Sequence, residues 1–176
     1  AEYDEMVEAI DAYKDKFESV AIAEPMLGEV GDDATVINDD KAAVAQAITD
    51  EAVKEAGYDS MEAAAEDGTA FVFMGHGTSH TANVTYDQMQ TQMENLGFTN
   101  AFICTVEGEP EDTACDEVIN KVKDAGFKKV ILRPLMVVAG DHANNDMAGD
   151  DDDSWKSMFE ASGDFDEIDC QIEGLG

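Results

Sequence analysis

Short apolar runs alternate with amphipathic stretches from Ala70 onward, and this order constrains the fold more than any other feature. A short apolar run indicates a buried strand, whereas apolar residues spaced by three and four indicate one face of a helix. The pattern predicts strands at 70–74, 101–105, 129–138 and 166–172, and helices at 85–96, 113–124 and 153–161. This order is typical of a parallel sheet covered by helices on both faces. We therefore expect an α/β fold in which every strand ends at one edge of the sheet.

The helical stretches have apolar faces that we expect to be buried. The inward residues of the three helices are Tyr86, Met89, Met93 and Leu96, then Cys115, Val118, Ile119 and Val122, then Trp155, Met158 and Phe159. Thr85 and Gln88 have the spacing of a capping box at the start of the first helix. Gly126 has the position of a glycine that ends the second helix.

The first third of the chain has a pattern of its own. It predicts a helix at 2–17 with a stripe of Met6, Ile10, Tyr13 and Phe17, a short strand at 20–22, and a helix at 40–55. A polar connector rich in Ala and Glu follows at 57–68 and is the candidate domain boundary. We expect residues 1–68 to be the end of one lobe plus a linker, and residues 69–176 to form a C-terminal α/β lobe.

An internal similarity supports this division. Phe17-Glu18-Ser19-Val20 and Leu27-Gly28 resemble Phe165-Asp166-Glu167-Ile168 and Leu175-Gly176, with all pairs 148 positions apart. If the two segments are equivalent, the chain contains the end of one lobe and most of a second lobe. We therefore expect the first lobe to be incomplete and the natural N-terminus to lie upstream of Ala1.

The charge is strongly one-sided, with 10 Lys and Arg against 41 Asp and Glu and a net charge of −31. Repulsion opposes binding to nucleic acid and to anionic membranes. The charge also suits attraction of cations, solvation in a salty cytoplasm, or a generally acidic proteome. Since no run of 18 apolar residues exists and the acidic start lacks a signal peptide's features, we expect no membrane contact and a cytoplasmic location. An exported form stays open, because upstream residues are expected to be missing.

Cys104, Cys115 and Cys170 are odd in number, scattered and without CxxC spacing. We interpret them as small apolar residues in a reducing compartment, not as a disulfide framework or a zinc cluster.

Potential metal ligands lie in the three loops that follow the first three strands of the C-terminal part. These loops contain His76, Glu107 and His142, and the third histidine, His80, lies in the first of them. Ligands bind at the carboxyl ends of strands in open parallel sheets, so we expect the three side chains to lie at one edge. Two imidazoles and a carboxylate suit a divalent first-row metal such as Co²⁺, Ni²⁺, Fe²⁺ or Zn²⁺, and a three-ligand set leaves coordination positions open for reaction.

Other motifs argue against other chemistries. His76 to Ser79 lacks a nucleophile elbow, and residues 140–149 lack the lysine of a phosphate loop. The acidic run at 150–153 lacks EF-hand spacing, and we interpret it as charges that favour the start of the following helix. His76 and His80 do not form a helical zinc motif, because the residues between them do not continue a helix.

Several segments are recognisable when taken together: Phe73-Met74-Gly75-His76-Gly77-Thr78, Ala82-Asn83, Thr105-Val106-Glu107-Gly108, the run from Pro134 to Gly149, and Asp153-Ser154-Trp155. They resemble the anaerobic sirohydrochlorin cobaltochelatase family (CbiK type), which are class II tetrapyrrole chelatases. The resemblance covers residues 70–176 well and the first third more loosely, and the family is longer at both ends.

The resemblance implies two pseudo-symmetric α/β lobes with sirohydrochlorin, or a related polycarboxylate tetrapyrrole, in the cleft between them. It implies an enzyme that inserts Co²⁺ into sirohydrochlorin in anaerobic cobalamin biosynthesis, with the metal bound by His76, Glu107 and His142. We hypothesise that His76 is the leading proton acceptor and that Arg133 is a candidate group for the substrate carboxylates. Alternatives are insertion of Ni²⁺ or Fe²⁺, a metal- or haem-binding carrier without turnover, and an acidic interaction module. A homo-oligomer also stays open.

Overall fold

Four parallel strands form one sheet in the computed structural model, which describes residues 2–175. The strands are β1 (Thr69–Gly75), β2 (Ala101–Thr105), β3 (Lys129–Pro134) and β4 (Glu167–Cys170), in the spatial order β2-β1-β3-β4. The predicted α/β class with a parallel sheet is confirmed. The register places Gly75 opposite Thr105 and Met74 opposite Pro134, so the first three strands end nearly level.

Helices cover both faces of the sheet. They are α1 (Glu2–Asp11), α2 (Asp39–Glu55), α3 (Met61–Glu66), α4 (Val84–Asn95), α5 (Cys115–Asp124) and α6 (Trp155–Ser162). Helices α2, α3 and α4 pack in one hydrophobic cluster, and α5 and α6 pack in the other. Among the helices in residues 2–175, none has both the length and the apolar surface that crossing a bilayer requires.

Strand β1 is the centre of the core, because all seven of its residues are buried. Phe71 and Phe73 face the α2–α3–α4 cluster, whereas Val72 and Met74 face the α5–α6 cluster. This division follows from the period of two residues along a strand. Full burial of a large apolar side chain is worth about 1.5–3 kcal/mol, so β1 fixes the sheet strongly on both faces.

The predicted helices agree with the structure in most of their buried residues and differ at their ends, and Leu96, predicted to face inward, is 36% exposed. The inward residues of α5 are buried as predicted, and Gly126 has the positive φ of 88° that suits the residue after a helix end. The predicted capping box of α4 is wrong. A 3₁₀ turn at Thr81–Asn83 precedes α4, and its N-cap Asn83 already has helical dihedrals without a side-chain cap. Thr85 Oγ1 has no hydrogen-bond partner among residues 2–175, and Gln88 Nε2 donates to Asp33 O at 2.9 Å.

Strand β3 ends at Pro134, earlier than predicted. Leu135 N still donates to Met74 O at 2.7 Å, but the chain then leaves the sheet. Val137 and Val138 are 54% and 71% exposed, so their apolar character does not reflect a strand buried in the core. Strand β4 is likewise shorter than the predicted 166–172.

Helix α6 begins later than predicted, at Trp155, because the Ser154 hydroxyl caps it by accepting from Ser157 N at 3.2 Å. The acidic residues at 150–153 therefore lie directly before the cap and not in the first turn, and their effect on the start of the helix stays a prediction. Asp150 instead lies 3.7 Å from the ammonium of Lys156.

The first third differs most from its prediction. Helix α1 ends at Asp11, and a 3₁₀ turn follows at Lys14–Lys16. Its predicted apolar stripe is largely exposed, with Met6, Tyr13 and Phe17 at 40%, 55% and 63%. Residues 20–22 form no strand, whereas the segment that resembles them 148 positions later contains β4. The two segments therefore do not share their local structure, although Leu27 and Leu175 both pack against the α2–α3–α4 cluster. Gly176 lies outside the described residues.

The predicted connector contains helix α3, which begins at the Ser60 cap. Met61 and Ala64 of α3 are buried, and so are Ile48 and Ala52 of α2, all in the cluster that includes β1. Helices α2 and α3 thus pack on the sheet. The domain boundary between 1–68 and 69–176 stays a prediction.

Candidate metal-binding edge of the sheet

Two histidines meet at the edge where the parallel strands end. His76 follows β1 directly, and His142 lies in the segment after β3. Their ring centroids are 4.9 Å apart, and the rings are nearly perpendicular at 80°. His76 is exposed and the His142 side chain is 37% exposed, so both rings are accessible from solvent. The structure therefore brings together two residues that are 66 positions apart in the sequence.

The loop after β2 is attached to the loop after β1 through its backbone. Val106 N donates to Gly75 O at 3.0 Å, and Glu107 N donates to His76 O at 2.9 Å. Gly77 has a φ of 88°, and a Cβ at this position would lie 2.9 Å from the Glu107 Cβ. Only glycine fits here, and its lack of a side chain lets Glu107 lie beside the His76 loop.

Tyr86 contacts the backbone of the His76 loop, and the sequence pattern did not reveal this contact. Its hydroxyl accepts a hydrogen bond from Gly77 N at 2.9 Å. A Cβ on Gly75 would lie 2.3 Å from the Tyr86 ring, so the ring occupies the space that Gly75 leaves empty. The sequence predicted Tyr86 only as part of the inward face of α4, because helical spacing carries no information on the partner of a hydroxyl.

The backbone determines which nitrogen of His76 is free. Nδ1 of His76 lies 3.0 Å from Gly77 O, and a carbonyl oxygen can only accept. Nδ1 is therefore the donor, and Nε2 of the neutral ring has the free lone pair. His80 is the opposite case, because its Nδ1 accepts from Ala82 N at 3.1 Å. The third histidine thus caps a turn and leaves its Nε2 protonated when neutral.

His142 immediately precedes a π-helical turn at Ala143–Met147. Single π turns occur often at functional sites. Nδ1 of His142 lies 2.5 Å from Oδ2 of Asp146, four residues further on. The sequence reasoning missed this contact because it interpreted 139–149 as a loop. The four-residue spacing between a histidine and a carboxylate could have indicated it only if a helical turn had been predicted.

Glu107 lies on the same edge but does not complete a coordination group with the histidines. Its side chain is exposed. Within residues 2–175, no three His, Cys, Asp or Glu side chains are placed to hold one metal ion. The structure thus places two of the three predicted ligands together and the third on the neighbouring loop, and the ligand roles stay predictions.

Arg133 does not face the predicted substrate site, which corrects its candidate role. The side chain is 2% exposed, and Nη1 pairs with Glu55 Oε2 at 2.5 Å and with Gln171 Oε1 at 2.8 Å. Because the guanidinium is buried and paired inside the protein, it is not available to substrate carboxylates.

Two of the cysteines are buried as predicted for small apolar residues. Cys104 and Cys115 are buried in the α5–α6 cluster, and all three cysteines are free thiols. Burial raises the pKa of Cys104 well above its ordinary value, and burial with the nearby Asp169 raises the pKa of Cys170 to about 11. The thiols of Cys104 and Cys170 therefore stay protonated at neutral pH and are not available as nucleophiles.

A family model described as cobalt chelatase (CbiK) matches residues 1–176. The chain belongs to this family. A sirohydrochlorin cobaltochelatase of Salmonella typhimurium is 49% identical over 92 residues, which cover 52% of this chain and 33% of that protein. The sirohydrochlorin cobaltochelatase CbiKC of Nitratidesulfovibrio vulgaris is 32% identical over 165 residues, which cover 93% of this chain and 51% of that protein. Its matches thus span between a third and about half of the length of these curated CbiK-family relatives.

Proposed function

We propose that this chain is the metal-ligating part of a sirohydrochlorin cobaltochelatase, an enzyme that inserts Co²⁺ into sirohydrochlorin during cobalamin biosynthesis. Family membership and the names of the two relatives support the reaction class. The observation that carries the proposal is the pair of imidazoles, His76 and His142, whose centroids lie 4.9 Å apart at the edge where ligands of parallel sheets bind.

In this proposal Nε2 of His76, Nε2 of His142 and a carboxylate oxygen of Glu107 bind the metal. Two nitrogens and one oxygen suit Co²⁺, which is a substrate here, and they leave positions for the pyrrole nitrogens. Glu107 would reach the ion by rotation of its exposed side chain, since its backbone is held beside His76 by the 2.9 Å hydrogen bond. Nitrogen and oxygen ligands also accept Ni²⁺ and Fe²⁺, so the metal must be identified by measurement.

His76 is proposed as the first proton acceptor. Two pyrrole N–H protons must leave as the metal enters the macrocycle. Because Nδ1 of His76 donates to Gly77 O, Nε2 has the single lone pair of the neutral ring, and this lone pair can take a proton once the metal has left it for the macrocycle. The ring is exposed, so the proton can pass on to water.

The substrate is proposed to lie between residues 69–176 and a second lobe to which residues 1–68 contribute. Sirohydrochlorin is a polycarboxylate and the chain has a net charge of −31, so its carboxylates need local N–H donors or positive groups. With Arg133 buried, backbone N–H groups of the loops at this edge are the candidates. Val137 and Val138, exposed after β3, offer apolar surface to the macrocycle.

The test is Co²⁺ insertion into sirohydrochlorin, followed by absorbance, with Co²⁺ binding measured by calorimetry in the same samples. The variants are His76→Ala, His142→Ala and Glu107→Gln. His80→Asn is the matched control, because an asparagine oxygen can keep the turn cap while one exposed imidazole is removed.

We expect each ligand variant to weaken Co²⁺ binding and abolish insertion, and the control to leave both unchanged. Loss of insertion with binding retained in His76→Ala would assign that residue to proton transfer alone. Co²⁺ binding without insertion by the unaltered chain would point to an incomplete cleft or to a carrier, and equal binding by all four variants would exclude this site.

A further inference from the structure

Asp146 makes a short contact with a proposed metal ligand, and neither the sequence pattern nor the family resemblance assigned it a role. Its Oδ2 lies 2.5 Å from Nδ1 of His142. Both side chains are partly exposed, at 45% for Asp146 and 37% for His142, so the contact lies at the rim of the site. The opposite ring nitrogen, Nε2, is not engaged by this carboxylate.

The turn that carries the pair is fixed from its other side. Ala143 and Met147 are both fully buried in the α5–α6 cluster, and they lie one position after His142 and Asp146 in the same turn. One face of the turn is therefore anchored in the core while the other presents the imidazole and its carboxylate. This anchoring fixes the backbone positions from which the His142 and Asp146 side chains meet.

Hydrogen bonds at the two ends of the turn add to this rigidity. Asn144 Nδ2 donates to Gly140 O and Asn145 Nδ2 donates to Asp141 Oδ1, both at 2.7 Å. Gly149 N donates to Asn145 O at 3.1 Å, and a Cβ on Gly149 would lie 2.3 Å from that oxygen. In the Asn-Asn-Asp sequence the first asparagine thus bonds a backbone oxygen, the second bonds the side chain of Asp141, and the aspartate is left for His142.

An ionised carboxylate can only accept hydrogen bonds, so Nδ1 of His142 must be the donor in this contact. The lone pair of the neutral ring is then on Nε2. His76 has the same arrangement through Gly77 O, whereas His80 has the opposite one. The two histidines that face each other therefore share a tautomer that the third histidine lacks.

We infer that Asp146 is a positioning residue that selects the Nδ1–H tautomer of His142 and directs Nε2 toward His76. Carboxylates that accept from a metal-binding histidine orient the ring and raise its basicity, and their loss typically weakens metal affinity by about 10–100-fold. The consequence for Co²⁺ affinity rests on the proposed function. The tautomer itself does not, because it is a property of the metal-free chain.

The experiment measures the tautomer of His142 and the Co²⁺ affinity on the 176-residue chain. Long-range ¹H–¹⁵N correlation spectra identify the protonated nitrogen of each histidine ring at pH ~8.5, well above the ordinary histidine pKa. Calorimetry with CoCl₂ gives the metal affinity. The variants are Asp146→Ala, Asp146→Glu and, as a control for the loss of one exposed carboxylate nearby, Asp152→Ala.

We expect His142 to be protonated on Nδ1 in the unaltered chain and in Asp152→Ala. In Asp146→Ala we expect the proton to move largely to Nε2 and Co²⁺ affinity to fall by about 10–100-fold. Asp146→Glu should retain part of the Nδ1–H tautomer of His142 and part of the Co²⁺ affinity. The spectrum of His80 should not change in any variant and serves as an internal reference.

A dominant Nε2–H tautomer of His142 in the unaltered chain would overturn the inference. An Asp146→Ala variant with unchanged tautomer and Co²⁺ affinity within twofold would also overturn it. Absence of Co²⁺ binding by the unaltered chain, with the tautomer change still present, would refute the proposed metal site and support the tautomer assignment, so the two failures are distinguishable.

Discussion

Arg133 and Glu55 form an ion pair whose two partners differ greatly in burial, and this asymmetry predicts unequal effects of removing either one. Arg133 is 2% exposed, whereas the Glu55 side chain is 37% exposed. The guanidinium also bonds to the buried Gln171, and its Nε has no hydrogen-bond partner in the described part of the chain. The buried charge of Arg133 therefore needs Glu55 for compensation, whereas the more exposed charge of Glu55 can be stabilised by water.

Replacement of Glu55 by alanine leaves the guanidinium buried with only a neutral partner. Breaking a buried pair in this way costs about 3–5 kcal/mol of the free energy of unfolding. Replacement of Arg133 by methionine removes the buried charge and its unpaired Nε, and Glu55 becomes hydrated at its exposed position. What remains is the lost hydrogen bond of the buried Gln171 oxygen, about 1–3 kcal/mol. We therefore expect Glu55→Ala to cost about 2 kcal/mol more than Arg133→Met.

The assay is urea unfolding at pH 7, followed by the fluorescence of Trp155, the single tryptophan, and by far-UV circular dichroism. Trp155 is 4% exposed, so its emission reports the core. Equal slopes of the free energy of unfolding against urea concentration would show that all variants expose the same amount of surface on unfolding. Glu55→Gln, which keeps a hydrogen-bond acceptor, is a milder variant if Glu55→Ala fails to fold. Lys54→Met is the control, because Lys54 and Glu51 pair on the surface at 75% and 54% exposure and should contribute no more than about 1 kcal/mol.

A larger loss for Arg133→Met than for Glu55→Ala would refute the reasoning, because the buried charge would then be compensated without Glu55. The same samples test the correction to the role of Arg133. Since its side chain is buried and paired, Arg133→Met should leave Co²⁺ affinity unchanged.

Three further predictions concern the site loop, a thiol and the net charge. Gly75→Ala should destabilise the chain by about 1–3 kcal/mol and weaken Co²⁺ binding, because a Cβ 2.3 Å from the Tyr86 ring displaces it. Gly140→Ala, where nothing lies within 4 Å, should leave stability unchanged, and urea unfolding checks both. Cys170 should react with iodoacetamide at pH 8 about 100-fold more slowly than a free thiol, because raising its pKa from 9.0 to about 11 removes most of the thiolate. Mass spectrometry measures the alkylation rate, and a rate equal to that of a free thiol would contradict this prediction. The Tm should rise with NaCl, because salt screens the repulsion within a chain of net charge −31, and a falling Tm would show that attractive pairs dominate.

The sequence predicted the sheet well because its signals there are local and repeated. Strand β2 lies at the predicted residues, and helix α5 buries the predicted side chains. The same signals failed for α1, whose stripe has helical spacing but is exposed along much of its length. Periodicity shows that a segment can present an apolar face, but it does not show what covers that face.

At the site, the sequence predicted which residues lie at the edge but not how they are held. His76 and His142 could be predicted together because parallel strands end on one side. The roles of Tyr86 and Asp146 depend on one hydroxyl and one carboxylate reaching specific atoms in a loop, at 2.9 and 2.5 Å. Arg133 was misassigned because its position in the sequence gave no sign of its partners Glu55 and Gln171.

Strand β4 has a consequence for how this chain behaves in concentrated solution. It lies at the end of the strand order, so one of its sides is not paired with another strand within the described residues. Glu167 and Asp169 are exposed at alternate positions along it. Such carboxylates discourage strand addition from another molecule through like-charge repulsion. This protection requires that the two carboxylates are ionised. Acidification toward the low isoelectric point protonates them and also brings the net charge of the chain to zero, so self-association should begin near that pH.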